Sequence, residues 1–578
     1  MNSRKYRNNY YRMREIRDLK DMVETSRDVY GSKPAFLVKD VPGGEYRPVP
    51  FSRFLDDING LGTAMLNMGL RGEKIALIGE NSYEWVVTYL AVTNGTGVIV
   101  PIDRELHPKE VINLMKRAGV KAIVHSKKLT KTVNEVTDKI DGIEYVIDMS
   151  AGEDTEGKFS FGRLVQKGRQ LIEQGDRSFT DAEINPEAMC SLLFTSGTMG
   201  MAKGVMLSHK NITANVYNMS QYVGIRKDGI GLSVLPMHHS YELTCHVFTG
   251  IYQGVTITIC EGLKYIQKNM AESHATVMLS VPLIFETMYG KMWKKMEAEG
   301  TAKKARRMIA ISRKLKLYNH QNLIRKIFRP LHDATGGQMS QFIAGGAAMN
   351  PKVVEGYEAM GIPMIQGYGM TENAPIIAVN RDCCSKADSV GCPMPGTEVR
   401  IINKDRTGMG EIICKGPSVM IGYYNDPEET QKVLKNGWLY TGDYGYMDDE
   451  GYLYVTGRKK SVIVTKNGKN VFPEEVEFCL TESDYIEEAL VHGVEGERGG
   501  DTVIKAEIYP DYDLIRREKG ELDKEEMRTF IKGIIDEIND EMPLYKRVRR
   551  FGIRKQEFDK TTTRKIKRYT EANMRSDS

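Results

Sequence analysis

The sequence has few of the features that mark secreted or membrane-spanning chains. Its eight cysteines are scattered; two of them, Cys383 and Cys384, are adjacent, and no C-x-x-C pair or nearby histidine pair accompanies them. This pattern predicts neither a disulfide framework nor a zinc site. No run of about 18 apolar residues occurs, so no transmembrane helix is predicted. The basic first residues are not followed by an apolar stretch, so we predict no secretory signal and expect a reducing, cytoplasmic setting.

The chain also lacks internal repeats and low-complexity tracts. Hydrophobic residues make up 41% and charged residues 27% of its 578 residues, which is ordinary for a globular protein. This length exceeds what one hydrophobic core supports, so we expect two or more domains.

A segment rich in glycine and hydroxyl side chains spans residues 194–205, which read Phe-Thr-Ser-Gly-Thr-Met-Gly-Met-Ala-Lys-Gly-Val. An apolar run typical of a strand precedes it. Glycines let backbone amides turn toward an anion, and the nearby hydroxyl and ammonium groups suit a polyphosphate. The spacing differs from the G-x-x-x-x-G-K-[ST] loop, since no glycine directly precedes Lys203. By itself the segment is also compatible with a flexible linker.

Four further clusters follow along the chain. They are residues 366–372 (Gln-Gly-Tyr-Gly-Met-Thr-Glu), 440–443 (Tyr-Thr-Gly-Asp), 457–460 (Gly-Arg-Lys-Lys) and 560–568 (Lys-Thr-Thr-Thr-Arg-Lys-Ile-Lys-Arg). With these motifs in this order, the chain resembles the adenylate-forming (AMP-binding) superfamily, which includes acyl-CoA synthetases, peptide-synthetase adenylation domains and luciferases. The resemblance runs from about residue 30 to about residue 570. It is strongest with long-chain fatty acyl-CoA synthetases.

The pattern of strands and helices predicts an α/β fold. Apolar runs typical of strands occur at 74–79, 97–102, 121–126, 145–149, 255–260, 276–281 and 341–344, with helical patterns such as 83–93 and 107–117 between them. Such alternation predicts largely parallel sheets, with ligand-binding segments just after the strands. We place the glycine-rich residues 345–348 and the motif 366–372 in such positions.

The domain organisation that the resemblance implies has three parts. Residues 1–30 form a basic N-terminal extension. Residues 31–457 form a large AMP-binding domain of doubly wound, mostly parallel sheets, with a β-barrel-like subdomain at about 395–456. Residues 458–578 form a small, mobile α+β lid, with strands at 461–465 and 487–491 and helices at 473–480 and 524–539.

The family reaction has two steps. A carboxylate attacks the α-phosphate of ATP to give an acyl-adenylate and pyrophosphate, and a thiol, usually that of CoA, then displaces AMP. Such displacement needs positioning and charge neutralisation more than covalent help. By the family motif, the β- and γ-phosphates are held by Thr195, Ser196, Gly197, Thr198 and Lys203. Met199 stands where the family usually has threonine, and Ala202 where it usually has proline, so we expect altered phosphate handling.

The resemblance also implies the rest of the nucleotide site. Tyr368 is expected to stack on adenine, Asp443 to accept bonds from both ribose hydroxyls, and Arg458 to contact ribose or phosphate. Mg²⁺ prefers one or two protein oxygens besides phosphate oxygens, and Thr195 and Glu372 offer them. The remaining nucleotide-binding candidates come from the neighbouring motif positions: Gly345, Gly346, Ala347, Gln366, Gly367, Gly369 and Thr371.

Two lysines are expected to act in the separate half-reactions. In the family, a C-terminal lysine, here Lys565, bridges the substrate carboxylate and the α-phosphate. Arg564 stands where the family has glycine, so we expect a stiffer loop. Lys460 lies at the family's hinge, where a residue absorbs backbone rotation as the small domain turns. The loop 468–473 is then expected to approach the thiol.

Residues 235–242, which read Leu-Pro-Met-His-His-Ser-Tyr-Glu, bear on the identity of the acyl substrate. They resemble the family motif whose histidine shapes the carboxylate site, and His239 aligns best, while His238 is compatible with a packed core histidine. Amino-acid-activating relatives carry an aspartate here, and none occurs between Leu235 and Ser240. We expect a fatty acid, with ATP, Mg²⁺ and CoA. Alternatives are a carrier-protein acceptor, an aryl or medium-chain acid, and a non-catalytic nucleotide- or acyl-binding protein.

One window is strongly basic although the net charge is only +4. Residues 291–329 contain thirteen lysines and arginines against two acids, Glu297 and Glu299, with apolar residues interspersed. The spacing allows an amphipathic basic helix. The window is either a solvated helical face or a surface for CoA phosphates or for anionic lipid at the inner membrane face. Nucleic acid is not favoured, because aromatic residues are sparse there.

Overall fold

The computed structural model describes residues 10–155, 157–195, 202–226, 228–464, 470–495, 502–561, 565–568 and 570–574. The chain divides into two compact units. The first contains Met1–Val399, Cys414–Leu439 and Glu450–Tyr452, and the second contains Arg400–Ile413, Tyr440–Asp449 and Leu453–Ser578. Among the described residues, each helix is too short or too polar to span a bilayer.

The strands alternate with helices along most of the chain. In chain order the strands are β1 Pro34–Val38, β2 Arg47–Pro50, β3 Lys74–Ile78, β4 Val98–Ile102, β5 Ala122–His125, β6 Tyr145–Asp148, β7 Lys158–Ser160, β8 Met189–Thr195, β9 Lys203–Ser208, β10 Ile230–Ser233, β11 Thr256–Ile259, β12 Val277–Ser280, β13 Gln341–Ala344, β14 Met364–Gly369, β15 Ile376–Val379, β16 Cys392–Pro393, β17 Glu398–Ile402, β18 Gly410–Lys415, β19 Gly422–Tyr423, β20 Leu434–Lys435, β21 Trp438–Met447, β22 Leu453–Arg458, β23 Ile463–Val464, β24 Asn470–Val471, β25 Ile486–Glu495, β26 Thr502–Pro510 and β27 Val548–Ile553.

The α-helices of the described chain cover the segments between these strands. They are Leu19–Tyr30, Phe51–Asn67, Tyr83–Ala91, Pro108–Ala118, Thr130–Thr137, Phe161–Glu173, His209–Tyr222, Ser240–Glu242, Thr249–Gln253, Ile266–Ser273, Pro282–Ala298, Ala302–Leu315, Gln321–Ile327, Arg329–Ala334, Pro351–Ala359, Pro427–Val433, Pro473–Thr481, Tyr512–Lys519, Lys524–Glu541 and Glu571–Met574. Wider π-helical turns occur at Val92–Thr96 and Leu243–Phe248.

Two large sheets organise the first unit. One has the strand order β16-β15-β14-β13-β12-β10-β11-β1-β2, and the other has the order β19-β9-β8-β4-β3-β5-β6-β7. The central pairs of both sheets are parallel, as between β12 and β13 and between β3 and β4. Strands such as β5 are buried at each position, as expected for parallel strands covered on both faces. The predicted α/β class is confirmed, and the seven strands predicted before residue 345 agree with β3 to β6 and β11 to β13 to within one residue at each end.

The segment predicted as a basic extension contributes a helix to the core of the first unit. Asp18 caps the helix Leu19–Tyr30 by accepting from the backbone N–H of Asp21. Leu19, Met22 and Val23 recur at helical spacing and are buried in the largest apolar cluster. This apolar stripe fixes the helix against the sheets.

The basic window 291–329 forms several helices, not the single amphipathic helix that its spacing allows. The helix Ala302–Leu315 ends where Lys316 adopts a left-handed conformation with φ 51°, and Gln321–Ile327 follows. Ile324 is fully buried, whereas Leu315 and Leu323 are 61% and 47% exposed. The apolar residues of the window therefore divide between the core and the surface.

The second unit combines a β-rich part with an α+β part. Residues 400–413, 440–449 and 453–458 contribute to a five-stranded sheet with the order β17-β18-β21-β20, in which β22 pairs with β21. The α+β part has a sheet in the order β25-β26-β27, covered by the helices Pro473–Thr481 and Lys524–Glu541. These helices match the predicted ones at their starts. Within the predicted strand at 461–465, the described residues form a strand at Ile463–Val464, and residue 465 lies outside the described residues.

Candidate functional site

The glycine-rich segment connects two strands, β8 and β9, that pair in antiparallel orientation. Thr195 ends β8, Lys203 begins β9, and the two residues are paired across the hairpin. Ser196, Gly197, Thr198 and Met199 lie outside the described residues. Arg117 donates a 2.8 Å hydrogen bond to the carbonyl of Ala202. The hairpin thus holds the Thr195 hydroxyl and the Lys203 ammonium at one end of the sheet.

Lys203 is engaged by two residues that the sequence analysis did not single out. Its Nζ donates to the carboxylate of Glu429, and it lies 4.8 Å from the ring centroid of Tyr423. Glu429 sits in the first turn of the helix Pro427–Val433 and also bonds Lys432. Hydrogen bonds from Lys203 and then Lys432 lower the pKa of Glu429 to about 2. Glu429 is therefore an anion that orients Lys203.

Tyr423 connects this lysine to the candidate metal ligand. Its hydroxyl donates a 2.8 Å hydrogen bond to Glu372 Oε1. Glu372 lies in the single turn Thr371–Asn373, and its carbonyl accepts from the N–H of Met420 at 2.8 Å. Tyr423 reaches this position because β19 pairs with β9. That pairing joins segments far apart in the chain, which is why local pattern reasoning missed Tyr423 and Glu429.

The resemblance also implies that Gly345 to Ala347 form a wall against adenine, opposite Tyr368, and these residues lie on or just after two neighbouring parallel strands. β13 pairs with β14, and the N–H of Gly345, just after β13, donates to the carbonyl of Ser280. Tyr368 is half-buried on β14. A Cβ on Gly369 would lie 2.1 Å from the carbonyl oxygen of Pro375, so only glycine permits this approach. Gly346 and Ala347, which follow Gly345 after β13, are exposed.

One prediction about this wall is wrong. Residues 366–372 were expected to follow a strand, but Gln366, Gly367, Tyr368 and Gly369 lie inside β14, because β15 extends the pairing on that side. Gln366 is buried, and its amide donates to the carbonyl of Ala387 at 2.6 Å. Its side chain therefore fixes the neighbouring loop.

The segment that contains His238 and His239 lies against Gly345 and Thr371. His239 precedes the short helix Ser240–Glu242, and Ser240 Oγ lies 3.4 Å from Thr371 Oγ1. The ring of the next residue, Tyr241, packs so closely on Gly345 that a Cβ there would lie 2.7 Å away. The structure thus brings the His239 segment together with Gly345 and Thr371.

The neighbouring His238 has a separate partner. Its Nε2 lies 3.5 Å from Asp103 Oδ2, and its side chain is 10% exposed. Burial alone would raise the pKa of Asp103, but the interaction with His238 outweighs it and lowers that pKa to about 2. This close contact with Asp103 favours a structural role for His238 and leaves His239, whose ring centroid is 4.2 Å from that of His238, as the site candidate.

The ribose candidates face each other in the second unit. Asp443 on β21 is paired with Arg458 on β22, and Arg458 Nε lies 2.8 Å from Asp443 Oδ1. Asp443 is buried, whereas the Arg458 side chain is 52% exposed. The N–H of Asp443 donates to Thr441 Oγ1 at 3.0 Å, and Thr441 donates to the carbonyl of Ile412 at 2.7 Å. A buried carboxylate with a charged partner is thus held rigidly on the sheet.

Lys565 is held close to Thr561 in the same unit by two hydrogen bonds. The N–H of Thr561 donates to the Lys565 carbonyl at 2.8 Å, and the N–H of Lys565 donates to Thr561 Oγ1 at 3.1 Å. Three residues further along the chain, Arg568 forms a two-point ion pair with Glu477. Asn573 is fully buried and donates to the carbonyl of Lys567 at 2.9 Å. These contacts fix the backbone on both sides of Lys565.

The charges of the two candidate ribose-binding residues affect the pKa of Lys565. Loss of solvation in its surroundings lowers the pKa of Lys565, the charge of Arg458 lowers it further, and Asp443 acts in the opposite direction. The side chain as a whole is exposed, so solvent limits the size of this shift. Lys565, Arg458 and Asp443 therefore form one electrostatic group within the second unit.

Lys460 lies in the single turn Lys459–Ser461 that follows β22. Its side chain is exposed, whereas that of Lys459 bonds Glu411 at 2.7 Å. A residue at the end of a strand, outside any long element, can change its backbone angles without disturbing a core. The position is compatible with the predicted hinge.

Comparison with known proteins now gives the family. Residues 23–424 match the AMP-binding enzyme family, and residues 460–573 match the AMP-binding enzyme C-terminal domain. The chain belongs to the AMP-binding enzyme family. The resemblance predicted from the sequence motifs of this enzyme is thus confirmed.

Individual relatives agree with this assignment. A long-chain-fatty-acid–CoA ligase of Escherichia coli O6:H1 is 28% identical over 559 residues, which cover 91% of each chain. A chloroplastic long-chain-fatty-acid–[acyl-carrier-protein] ligase of Arabidopsis thaliana is 25% identical over 595 residues, which cover 90% of this chain and 80% of the relative. The solved anthranilate CoA ligase AuaEII, in complex with anthranoyl-AMP, has a TM-score of 0.75 at 20% identity, with 98% of both chains covered. The AMP-binding enzyme therefore has the fold of the adenylate-forming acyl- and aryl-CoA ligases.

Proposed function

We propose that this AMP-binding enzyme activates a fatty acid with ATP and transfers the acyl group to CoA, with release of pyrophosphate and AMP. The observation that carries the proposal is the grouping of Lys565 with Asp443 and Arg458. Asp443 can accept bonds from ribose hydroxyls, and the two cations can neutralise the charge that develops as a carboxylate attacks the α-phosphate. Such a group has little use in a protein that only stores nucleotide.

The first unit would supply the pyrophosphate side of the reaction. Lys203 and Thr195 would bind the β- and γ-phosphates, with Ser196, Gly197 and Thr198 between them. Glu372 and Thr195 would hold Mg²⁺, which takes oxygen ligands from carboxylates, hydroxyls and phosphates. Incoming phosphates would compete with Glu429 for Lys203, so we expect this ion pair to rearrange on ATP binding.

The rest of the first unit would hold adenine and the acid. Tyr368 would stack on adenine, with Gln366, Gly367, Gly369 and Thr371 around it and Gly345, Gly346 and Ala347 as the facing wall. His239 would shape the carboxylate site. Lys460 would serve as the hinge for the second half-reaction, and the boundary at residues 457–458 would separate the AMP-binding domain from its lid.

The fatty-acid assignment is supported by the names of the relatives and by local chemistry. The E. coli relative is named as a long-chain-fatty-acid–CoA ligase. No carboxylate stands between Leu235 and Ser240 to bind an α-amine. Small exposed residues after β13, Gly346 to Ala348, leave room for an acyl chain.

A carrier-protein acceptor is the second candidate. The Arabidopsis relative, named as an [acyl-carrier-protein] ligase, favours it. In that case adenylation would be unchanged, and the phosphopantetheine thiol of a carrier protein would replace that of CoA.

The basic window 291–329 is proposed to contact anionic lipid from the cytoplasmic side. Its lysines and arginines are almost all exposed, and Leu315 and Leu323 project among them. Basic side chains with a few exposed apolar ones suit a lipid surface that carries the acid substrate. Co-sedimentation with vesicles that contain anionic lipid tests this.

Mass spectrometry of the products tests the function. The enzyme is incubated with ATP, Mg²⁺ and CoA over a panel of fatty, medium-chain and aryl acids, and pyrophosphate is measured in parallel. Acyl-CoA from a fatty acid supports the proposal. Pyrophosphate without acyl-CoA indicates the carrier-protein candidate, and acyl-CoA from aryl acids alone contradicts the fatty-acid assignment.

A further inference from the structure

Two adjacent cysteines face each other on the surface of the first unit. Cys383 and Cys384 follow β15 in a tight turn closed by an isolated bridge between Arg381 and Cys384. Their Sγ atoms are 3.5 Å apart, and Cys383 is exposed while Cys384 is half-buried. Adjacent side chains in extended backbone point to opposite sides, so it is the turn that brings both sulfurs to one side.

The turn is held in place by neighbours on several elements. The carboxylate of Asp382 accepts from the Tyr11 hydroxyl at 2.8 Å and from the N–H of Gly224 at 3.2 Å. The carbonyl of Cys384 accepts from the Tyr452 hydroxyl at 3.3 Å. The pair of sulfurs is therefore presented by a fixed backbone, which reduces the entropy lost when both bind one centre.

A direct disulfide fits this arrangement poorly. Consecutive Cα atoms are about 3.8 Å apart, which is shorter than the roughly 4.4–6.8 Å found across disulfides. The sulfurs would also have to approach by about 1.5 Å from their 3.5 Å separation to reach the bond length of about 2.05 Å. Closing this gap would distort a turn that is tied to three neighbouring segments.

A third atom bridging the sulfurs fits without such movement. With bonds of ~2.3 Å, as for zinc–thiolate bonds, a 3.5 Å separation corresponds to an S–X–S angle of about 100°. This angle is smaller than the tetrahedral value and suits a pyramidal centre with three bonds. Structural zinc needs four ligands, and in the part of the chain that the structure describes no group of three or more histidine, cysteine or carboxylate side chains could hold a metal.

The geometry points to Cys383 and Cys384 as a chelating dithiol site for trivalent arsenic compounds. With an aryl arsenoxide, the two S–H bonds and the As=O bond break and two S–As bonds form. Both protons leave with the oxygen as one water molecule. Arsenic stays trivalent, so neither oxidant nor reductant is needed.

The chelate, not the reactivity of one thiol, provides the selectivity. Partial loss of solvation at its sulfur, then the hydrogen bond with Cys384, raise the pKa of Cys383 to about 11, so little thiolate is present at neutral pH. A low thiolate fraction slows reactions of Cys383 alone. Once one S–As bond exists, the second sulfur acts at the high effective concentration of a linked group, which stabilises the adduct.

Intact-protein mass spectrometry with phenylarsine oxide tests the site. The full chain is treated with one equivalent, then with excess monothiol and separately with excess 1,2-dithiol. We expect one arsenic per chain, the loss of two titratable thiols, resistance to the monothiol and removal by the dithiol. Cys383→Ser and Cys384→Ser should each abolish the monothiol-resistant adduct, whereas Cys392→Ser, at another half-buried cysteine on the same unit, should keep it.

Two results would overturn the site. One is a monothiol-resistant adduct that persists in Cys383→Ser or Cys384→Ser, and the other is a wild-type adduct that the monothiol removes. Circular dichroism of each variant checks that it is folded. Should a serine variant not fold, peptide mapping of the wild-type adduct decides, because the arsenic must then be found on a peptide that contains residues 383 and 384. None of these outcomes depends on the proposed ligase activity.

Discussion

Asp443 and Arg458 are direct partners across the antiparallel strands β21 and β22, with Arg458 Nε 2.8 Å from Asp443 Oδ1. The pair lies at the end of β22, one residue before the turn that contains Lys460. It is also close enough to Lys565 for both charges to act on the lysine pKa. One hairpin thus places the proposed ribose ligand, its cationic partner and the proposed hinge within a short length of chain.

Asp443→Asn should weaken AMP binding by about 10–100-fold, since hydrogen bonds to a charged group contribute roughly 1.5–3 kcal/mol. The amide can still accept one bond but loses the charge that attracts the two ribose donors and pairs with Arg458. Isothermal titration calorimetry with AMP measures the effect. Asp449→Asn, an exposed residue in the turn after β21, is the matched control. Equal affinities in all three proteins would contradict the ribose role.

Tyr423→Phe should raise the KM for Mg-ATP by about 2–10-fold, the equivalent of one neutral hydrogen bond of roughly 0.5–1.5 kcal/mol. The change removes the hydroxyl that holds Glu372 but keeps the ring beneath Lys203. Steady-state kinetics at varied Mg²⁺ and ATP measure it. Tyr424→Phe, the next residue, should behave as wild type. An unchanged KM in the Tyr423 variant would contradict the proposal that the Tyr423 hydroxyl positions Glu372 for metal binding.

Glu429→Gln should remove a pH-dependent part of the stability. The folded pKa of Glu429, about 2, is below the ~4.3 of an unfolded glutamate. Its stabilisation is therefore complete above about pH 4.3 and is lost as the pH falls toward 2. The melting-temperature gap between wild type and variant should be widest above pH 5, equivalent to at most about 1 kcal/mol for a partly exposed pair, and should close in acid.

The matched control for this effect is Glu428→Gln, which changes the exposed neighbouring residue. It carries the same charge change without the bond to Lys203. A gap of the same size and pH dependence in Glu428→Gln would attribute the effect to overall charge and remove the specific role of the ion pair.

Lys460→Pro should spare adenylation and block thioester formation. Proline fixes φ near −65° and so prevents the backbone rotation expected at a hinge. Pyrophosphate exchange reports the first half-reaction, and transfer from a pre-formed acyl-adenylate to CoA reports the second. Lys460→Ala removes the same side chain but keeps the backbone free, so it should support both steps. Equal loss of both steps in the proline variant would exclude the hinge.

Much of the fold could be predicted because its signals are local. Apolar runs such as 341–344 form buried parallel strands of this fold, and the bounds predicted for β13 are those observed. The partners Asp443 and Arg458 are only fifteen residues apart in one hairpin. The start of the helix Pro473–Thr481 is likewise set by a proline at its first position.

The parts that could not be predicted depend on contacts between distant segments. Glu429 reaches Lys203 across 226 residues, and Tyr423 reaches Glu372 only because β19 joins the edge of the sheet at β9. Gln366 lies inside β14, where its amide donates to the carbonyl of Ala387, 21 positions further along the chain. In the basic window, Ile324 is buried and the adjacent Leu323 is exposed. The local sequence does not tell these two apolar residues apart, because their burial depends on contacts with distant segments.

The central claim, that Lys565 is the cation that promotes adenylation, is tested most directly by acid-dependent exchange of pyrophosphate into ATP. Wild type and Lys567→Ala, which removes another exposed lysine of the same loop, should exchange at similar rates with a fatty acid. Lys565→Ala should be slower by roughly 10²–10³, the usual cost of removing one such charged donor. Exchange by Lys565→Ala at the wild-type rate would contradict the account.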